Sequence, residues 1–266
     1  MVKAVPLWLR AAAVVFLLLL ATFLLAPLVV VVGVSVSESQ FVVFPPQGFT
    51  LRWYENALSS QAYVDAFKLS GLLAILVTLS ATVIGGAAAI GISRFRKPGG
   101  ALETVFLSPL VLPSIIFAIG LLMLWSAVFG PTSFLTLWIA HTVVAIPYVV
   151  RTTLAVLAES DPFLEEAART MGANRLQRLW FVTLPQCRPG LVAGAFFAFN
   201  ISFDEAVLSL FLRTPRLTTL PVHIYGQLEF SPDPTVAAVS TLMILITIAL
   251  MLVLDRTLGL TRFASA

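Results

Sequence analysis

Charge is what this sequence has least of. Of its 266 residues only 11% are Asp, Glu, Lys or Arg, while 59% are hydrophobic. A soluble domain keeps roughly a quarter of its residues charged. An ordinary water-facing globule is therefore excluded, and most of the chain is built to face lipid. Cysteine is almost absent as well. The single Cys187 rules out an internal disulfide and a cysteine-rich metal site. Several chemical motifs are also missing. No Gly-x-x-x-x-Gly-Lys-Ser/Thr phosphate loop occurs, and Gly99-Gly100 after Lys97-Pro98 does not fit one, so the chain does not cradle ATP phosphates in that way. Neither His-Glu-x-x-His nor Gly-x-Ser-x-Gly is present. A non-catalytic chain without a cofactor of its own is expected.

What the sequence does have is long apolar runs. About 20 mainly apolar residues cross the hydrocarbon as a helix, and six stretches qualify. They run from about Ala11 to Val34, Ala66 to Ile92, Thr104 to Phe129, Phe134 to Val156, Pro189 to Leu212 and Thr235 to Leu254. The first begins like a signal peptide, but it is too long and lacks a small-residue cleavage site after it, so it reads as a retained anchor. Gly85-Gly86, Pro109, Pro113 and Pro147 interrupt the runs. Membrane bundles tolerate such breaks where neighbours satisfy the freed backbone groups. The expected fold is an all-α polytopic membrane protein of six transmembrane helices.

Orientation follows from the basic residues. With both termini in the cytoplasm, Lys3, Arg10, Arg94, Arg96, Lys97, Arg151, Arg169, Arg175, Arg178, Arg188, Arg256 and Arg262 lie inside. Only Arg52, Lys68, Arg213 and Arg216 lie outside. Twelve against four is a clear positive-inside bias. The net charge of +3 thus records topology rather than a nucleic-acid partner, which would need a clustered basic stripe. The expected division is 1–62, an N-terminal transmembrane helix and outer loop; 63–257, the transmembrane domain; and 258–266, a cytoplasmic tail.

The connection from Leu157 to Arg188 is the most informative part. Asp161-Pro162 is a helix start, with Asp accepting from orphan amides and Pro suited to the first helical position. Glu165 and Glu166 sit in the first turn, where the helix dipole favours them. Gly172 ends this helix. Asn174 and Gln177 have the spacing of a capping box opening a second helix, which Leu184-Pro185 is expected to end before the chain re-enters the membrane. Exposed charges and bulky apolar residues on such a loop suit either an amphipathic element on lipid headgroups or a docking surface for another protein.

Glu166-Ala167-Ala168, with Gly172 four residues on and then Val182-x-Leu184-Pro185, resembles the EAA motif of binding-protein-dependent ABC importers. Every position of the pattern is matched. The resemblance implies the type I ABC importer transmembrane fold, with residues 159–188 as the coupling loop. It implies that Glu166, Ala167, Ala168, Gly172, Arg175, Leu184 and Pro185 dock on a dimer of ATP-binding subunits, where ATP and Mg are held. It also implies a second permease subunit, heterodimeric pairing, an extracytoplasmic solute-binding protein, and a multi-pass location in the bacterial inner membrane.

The fifth run carries Asn200-Ile201-Ser202-Phe203-Asp204-Glu205. Carboxylates within a membrane segment are costly unless they face a cavity, a partner or the interface. Adjacent helical residues point about 100° apart, so one of Asp204 and Glu205 is expected to face a pathway, with Asn200 and Ser202 beside it. Pairing inside the bundle, or snorkelling to the outer face, is the alternative. His141, in the fourth run, is expected to bond a neighbouring helix. Ser202-Phe203-Asp204-Glu205, Ser209-x-Phe211, Thr219-Leu220-Pro221-x-x-Ile224-Tyr225 and Gly48-Phe49-Thr50-x-x-Trp53-Tyr54 resemble the second permease of spermidine/putrescine importers. That implies a small cationic solute. Relatives in the same subfamily take amino-acid-like, opine or organophosphonate solutes. A secondary transporter, working without an ATPase, is the rival class; it would show inverted repeats and discontinuous helices around a midplane site.

Overall fold

The structure, a computed structural model, describes residues 6–94, 100–161 and 163–258, with residues 257 and 258 described by backbone alone. Among the described residues the regular structure is all helical apart from one isolated bridge between Thr214 and Leu217. Its helices are α1 (Leu7–Ser35), α2 (Arg52–Ser59), α3 (Gln61–Ser93), α4 (Ala101–Leu107), α5 (Ser114–Val128), α6 (Phe134–Glu159), α7 (Phe163–Thr170), α8 (Arg175–Arg178), α9 (Leu184–Asp204), α10 (Val207–Leu212), α11 (Leu220–Phe230) and α12 (Thr235–Leu258). Among the described residues four helices are long and apolar enough to cross a membrane: α1, α3, α6 and α12. A fifth span results if α4 and α5 are counted together.

Two of the expected runs are broken. The third, anticipated from Thr104 to Phe129, bends by 99° between α4 and α5. Pro113 carries no N–H and pushes the residue before it out of the helical region, so the chain passes through a 3-10 turn at Ser108–Leu110 before it restarts. The fifth run, anticipated as one helix to Leu212, stops at Asp204 and resumes as α10. Two further helices, α2 and α11, lie in the segments between the expected runs. The first N–H of α11, that of Leu220, donates to Ser70 Oγ at 2.8 Å, and Pro221 suits a first turn.

The chain divides into two compact units, one formed by the chain up to Val64 with Ile224–Ile246, the other by Asp65–His223 with the chain from Thr247. In the first unit α1 is exposed along nearly its whole length, as a helix surrounded by hydrocarbon is. The segment after α1 is organised by side chains. Trp53 Nε1 donates to the Ser37 carbonyl at 2.7 Å, the Gln47 amide donates to Ser37 Oγ at 3.0 Å, and the Tyr54 and Ser35 hydroxyls meet at 2.7 Å.

The second unit holds the core. Leu73, Val77 and Ala81 of α3, Leu137, Ala140, Ala145 and Val149 of α6, Ala198 of α9, and Leu208 and Leu212 of α10 form one buried apolar cluster. Helices α6 and α9 pack closely, and glycine makes it possible. A Cβ on Gly190 would stand 2.7 Å from the Thr152 carbonyl oxygen and 2.8 Å from Thr153 Cα; one on Gly194 would stand 2.8 Å from Val149 Cα. Small residues four apart let two membrane helices bring their backbones together. Polar groups stitch the same bundle: Ser80 of α3 meets Thr142 of α6 at 3.0 Å and accepts from Trp138 Nε1 at 3.2 Å.

Candidate functional site

The loop between α6 and α9 is built by local chemistry. The Phe163 amide donates to Asp161 Oδ1 at 2.9 Å, occupying one of the orphan donors at the start of α7. Pro162 lies outside the described residues, as do Lys3, Arg96, Lys97 and Arg262. Gly172 takes φ +87°, and the Ala173 amide reaches back to the Ala168 carbonyl at 3.0 Å, which closes α7 with the left-handed turn that glycine permits. Asn174 and Gln177 then exchange two bonds: the Gln177 amide donates to Asn174 Oδ1 at 2.9 Å, and the Asn174 amide to Gln177 Oε1 at 2.8 Å. The capping box is complete.

Leu184-Pro185 does not end the second helix. The chain runs from α8 through a π turn at Leu179–Thr183 directly into α9, with Pro185 in the first turn of the latter. A proline in mid-helix removes one i→i−4 bond and presses on the carbonyl four residues back. The wider π turn immediately before it relieves that conflict, and a π bulge is a common way to absorb such a misfit. The Thr183 hydroxyl, 3.4 Å from the Arg178 carbonyl five residues earlier, adds a side-chain bond there.

The EAA residues divide by direction. Ala168 is buried, while Glu166 and Ala167 are exposed. Glu165, next to them, turns inward instead: its Oε1 lies 3.7 Å from Arg94 Nη2 at the end of α3 and 3.7 Å from Arg178 Nε. On the same loop Phe163, Met171 and Phe181 are all more than two-thirds exposed. Ala168, Met171, Gly172, Gln177 and Phe181 line a shallow pit of about 440 Å³. A second recess of about 670 Å³ lies between the motif loop and α3, with Ile90, Arg94, Arg175, Leu176, Trp180 and Leu184 in its lining. Pro185 is exposed and Leu184 half-buried.

The carboxylates at the end of α9 have different surroundings. Asp204 is exposed. Glu205 takes an extended backbone, ψ 102°, and its Oε1 accepts from the Val207 amide at 2.9 Å and the Leu208 amide at 3.1 Å. It is spent on opening α10. Asn200 Nδ2 donates to the Phe196 carbonyl at 2.9 Å. Ser202 is buried against His141, whose Nδ1 lies 3.1 Å from Ser202 Oγ and whose Nε2 lies 3.1 Å from Ser209 Oγ. His141 thus bonds two neighbouring helices. Sequence reasoning gave Glu165 only a dipole role and did not pair Ser209 with His141. The seven-residue spacing of Ser202 and Ser209 was the available signal. Among the described residues no group of three or more His, Cys, Asp or Glu could hold a metal ion.

The motif-bearing loop, the close-packed bundle and the non-catalytic character define a membrane component of a transport system. Residues 81–260 match the model of the binding-protein-dependent transport system inner membrane component family, and the chain belongs to that family. It is a permease subunit of an ABC importer. It is similar to the putrescine transport system permease protein PotI of Escherichia coli strain K12, at 32% identity over 87% of this chain and 85% of that protein. It is similar also to the spermidine/putrescine transport system permease protein PotC of Haemophilus influenzae, at 29% identity over 88% and 91%. Its fold resembles a chain from a bacterial ABC transporter that imports the acidic polysaccharide alginate. That likeness has a TM-score of 0.70 at 16% identity and covers 96% of this chain and 99% of the other.

Proposed function

We propose that this chain forms one half of the translocation pathway for a small organic polycation, of the putrescine or spermidine kind, in a bacterial plasma membrane. Six spans with both termini cytoplasmic follow if α4–α5 and α9–α10 each count as one broken span. Residues 63–257 then form the transmembrane domain, 1–62 the N-terminal anchor and outer loop, and 258–266 the tail. A second, different permease subunit completes the pore, and a solute-binding protein delivers cargo from outside.

The observation that carries this reading is the division of the EAA loop. Glu166 and Ala167 are exposed, while Ala168 lines a shallow pit and Glu165 pairs with Arg178. An exposed carboxylate in the first turn of a helix, on a loop that also exposes Phe163, Met171 and Phe181, suits a partner groove with a basic rim and an apolar floor. That partner is a pair of ATP-binding subunits, which supply the energy this chain has no motif to supply. The cargo reading rests on Asp204, an exposed carboxylate at the break between α9 and α10, which would offset the lost hydration of an ammonium group. The test is affinity purification of the tagged chain from membranes, followed by putrescine uptake in proteoliposomes. Copurification of a Walker-motif subunit and ATP-driven uptake competed by spermidine are expected. A chain that purifies alone and transports without ATP would overturn the proposal.

A further inference from the structure

The break between α9 and α10 has no ordinary cause. Phe203-Asp204-Glu205-Ala206-Val207-Leu208 contains neither proline nor glycine, the usual reasons for a sharp interruption. The break is held by side chains. Glu205 supplies the cap of α10 from within the chain. From α6, one imidazole grips both sides: Nδ1 bonds Ser202, two residues before Asp204, and Nε2 bonds Ser209, in α10. His141 is 1% exposed, so each ring nitrogen would be costly to leave without a partner. Ser202 closes α9 and Ser209 lies in α10, so the ring ties the two helix segments on either side of the break to one point on α6.

We infer that His141 is a positioning residue for transport: it fixes the α9–α10 break and so sets where Asp204 is presented to the passing cation. The inference rests on the acidic-pathway reading for its consequence, though not for its geometry. With the clamp released, the segment 203–208 regains its helical alternative and Asp204 turns with it.

The test uses the complete transporter, with its ATP-binding subunits and binding protein, in proteoliposomes. Asp204→Cys serves as a reporter, since Cys187 is fully buried, and is labelled with a membrane-impermeant cationic methanethiosulfonate. In Ser202→Ala, Ser209→Ala and His141→Leu backgrounds the labelling rate is expected to shift about fivefold or more, the scale of one lost buried hydrogen bond. His141→Gln, which keeps a donor and an acceptor, is expected to stay within about twofold. In chains that retain Asp204, Ser209→Ala is expected to raise the KM for putrescine by a similar factor while kcat and assembly hold. Unchanged labelling in both serine variants overturns the inference, whether or not His141→Leu assembles. If the unaltered complex fails to transport putrescine, the cargo reading fails instead, and the labelling experiment still decides the clamp.

Discussion

Glu165 Oε1 stands 3.7 Å from Arg178 Nε, which ties the first helix of the EAA loop to the second across the Gly172 turn. The same oxygen is 3.7 Å from Arg94. Arg178 Nε is buried and has no hydrogen bond in the structure, so this carboxylate supplies its counter-charge. Both contacts are long, and Glu165 is partly exposed, which limits the link to about 1 kcal/mol or less. Glu165→Gln is therefore expected to leave insertion and thermal midpoint intact but loosen the loop. Limited trypsin digestion of the isolated permease in nanodiscs should cut faster at Arg169 and Arg175; unchanged cleavage would show that the ion pair does not hold the loop.

Glu166 faces outward and makes no ion pair among the described residues. Glu166→Lys is expected to uncouple transport without harming insertion, because it reverses a charge meant for a partner. ATP-driven uptake should fall at least about tenfold, equivalent to a loss of about 1.4 kcal/mol in the coupling equilibrium. Normal uptake together with normal copurification of the ATP-binding subunit would remove Glu166 from the docking role.

Gly172 is open, with nothing within 4 Å of where a Cβ would sit, yet its φ is +87°. Substitution there tests the backbone alone. Gly172→Val should be worst, Gly172→Ala intermediate at about 1–2 kcal/mol of local strain, and Gly172→Asn mildest. Uptake measured across the three should follow that order; equal activity would mean the turn can relax.

How much of this was legible beforehand depends on the range of the interactions. Asp161, Gly172 and the Asn174–Gln177 box each act within a few residues, so composition and spacing identify them. Pro113 marks a break, but not its 99° angle, which depends on packing. The interruption after Asp204 carries neither proline nor glycine, and its clamp, His141, is more than 60 residues away. A still longer separation, 150 residues, hides the start of α11, which is capped from Ser70. Leu184-Pro185 misled for the opposite reason: the local rule is sound, but the π turn before it accommodates the proline.

Gly190 and Gly91 provide a matched pair. A Cβ at Gly190 would meet backbone atoms of α6 at 2.7–2.8 Å, whereas one at Gly91 meets nothing within 4 Å. Gly190→Ala is expected to lower stability by about 1–3 kcal/mol through overpacking, and Gly91→Ala to be neutral or slightly stabilising through helix propensity. Thermal unfolding in detergent compares them directly.

Asp204 and Glu205 should separate in transport assays. Asp204→Asn is expected to raise the KM for a dication several-fold, since it removes an exposed charge at the break. Glu205→Gln retains an acceptor for the Val207 and Leu208 amides and should transport nearly normally, while Glu205→Ala loses the cap at a cost of about 1 kcal/mol. Equal effects of Asp204→Asn and Glu205→Gln would remove the distinction between them.

The π turn at Leu179–Thr183 joins the EAA loop to α9 without a gap in the chain. A loop that ended at Pro185 would act as a tether, passing tension but little torque. A continuous helical shaft passes both. The 21 residues of α9 make a shaft about 30 Å long. A tilt of about 5° imposed at its loop end would then move the Asp204 end by roughly 2.5 Å, close to the width of an ammonium group.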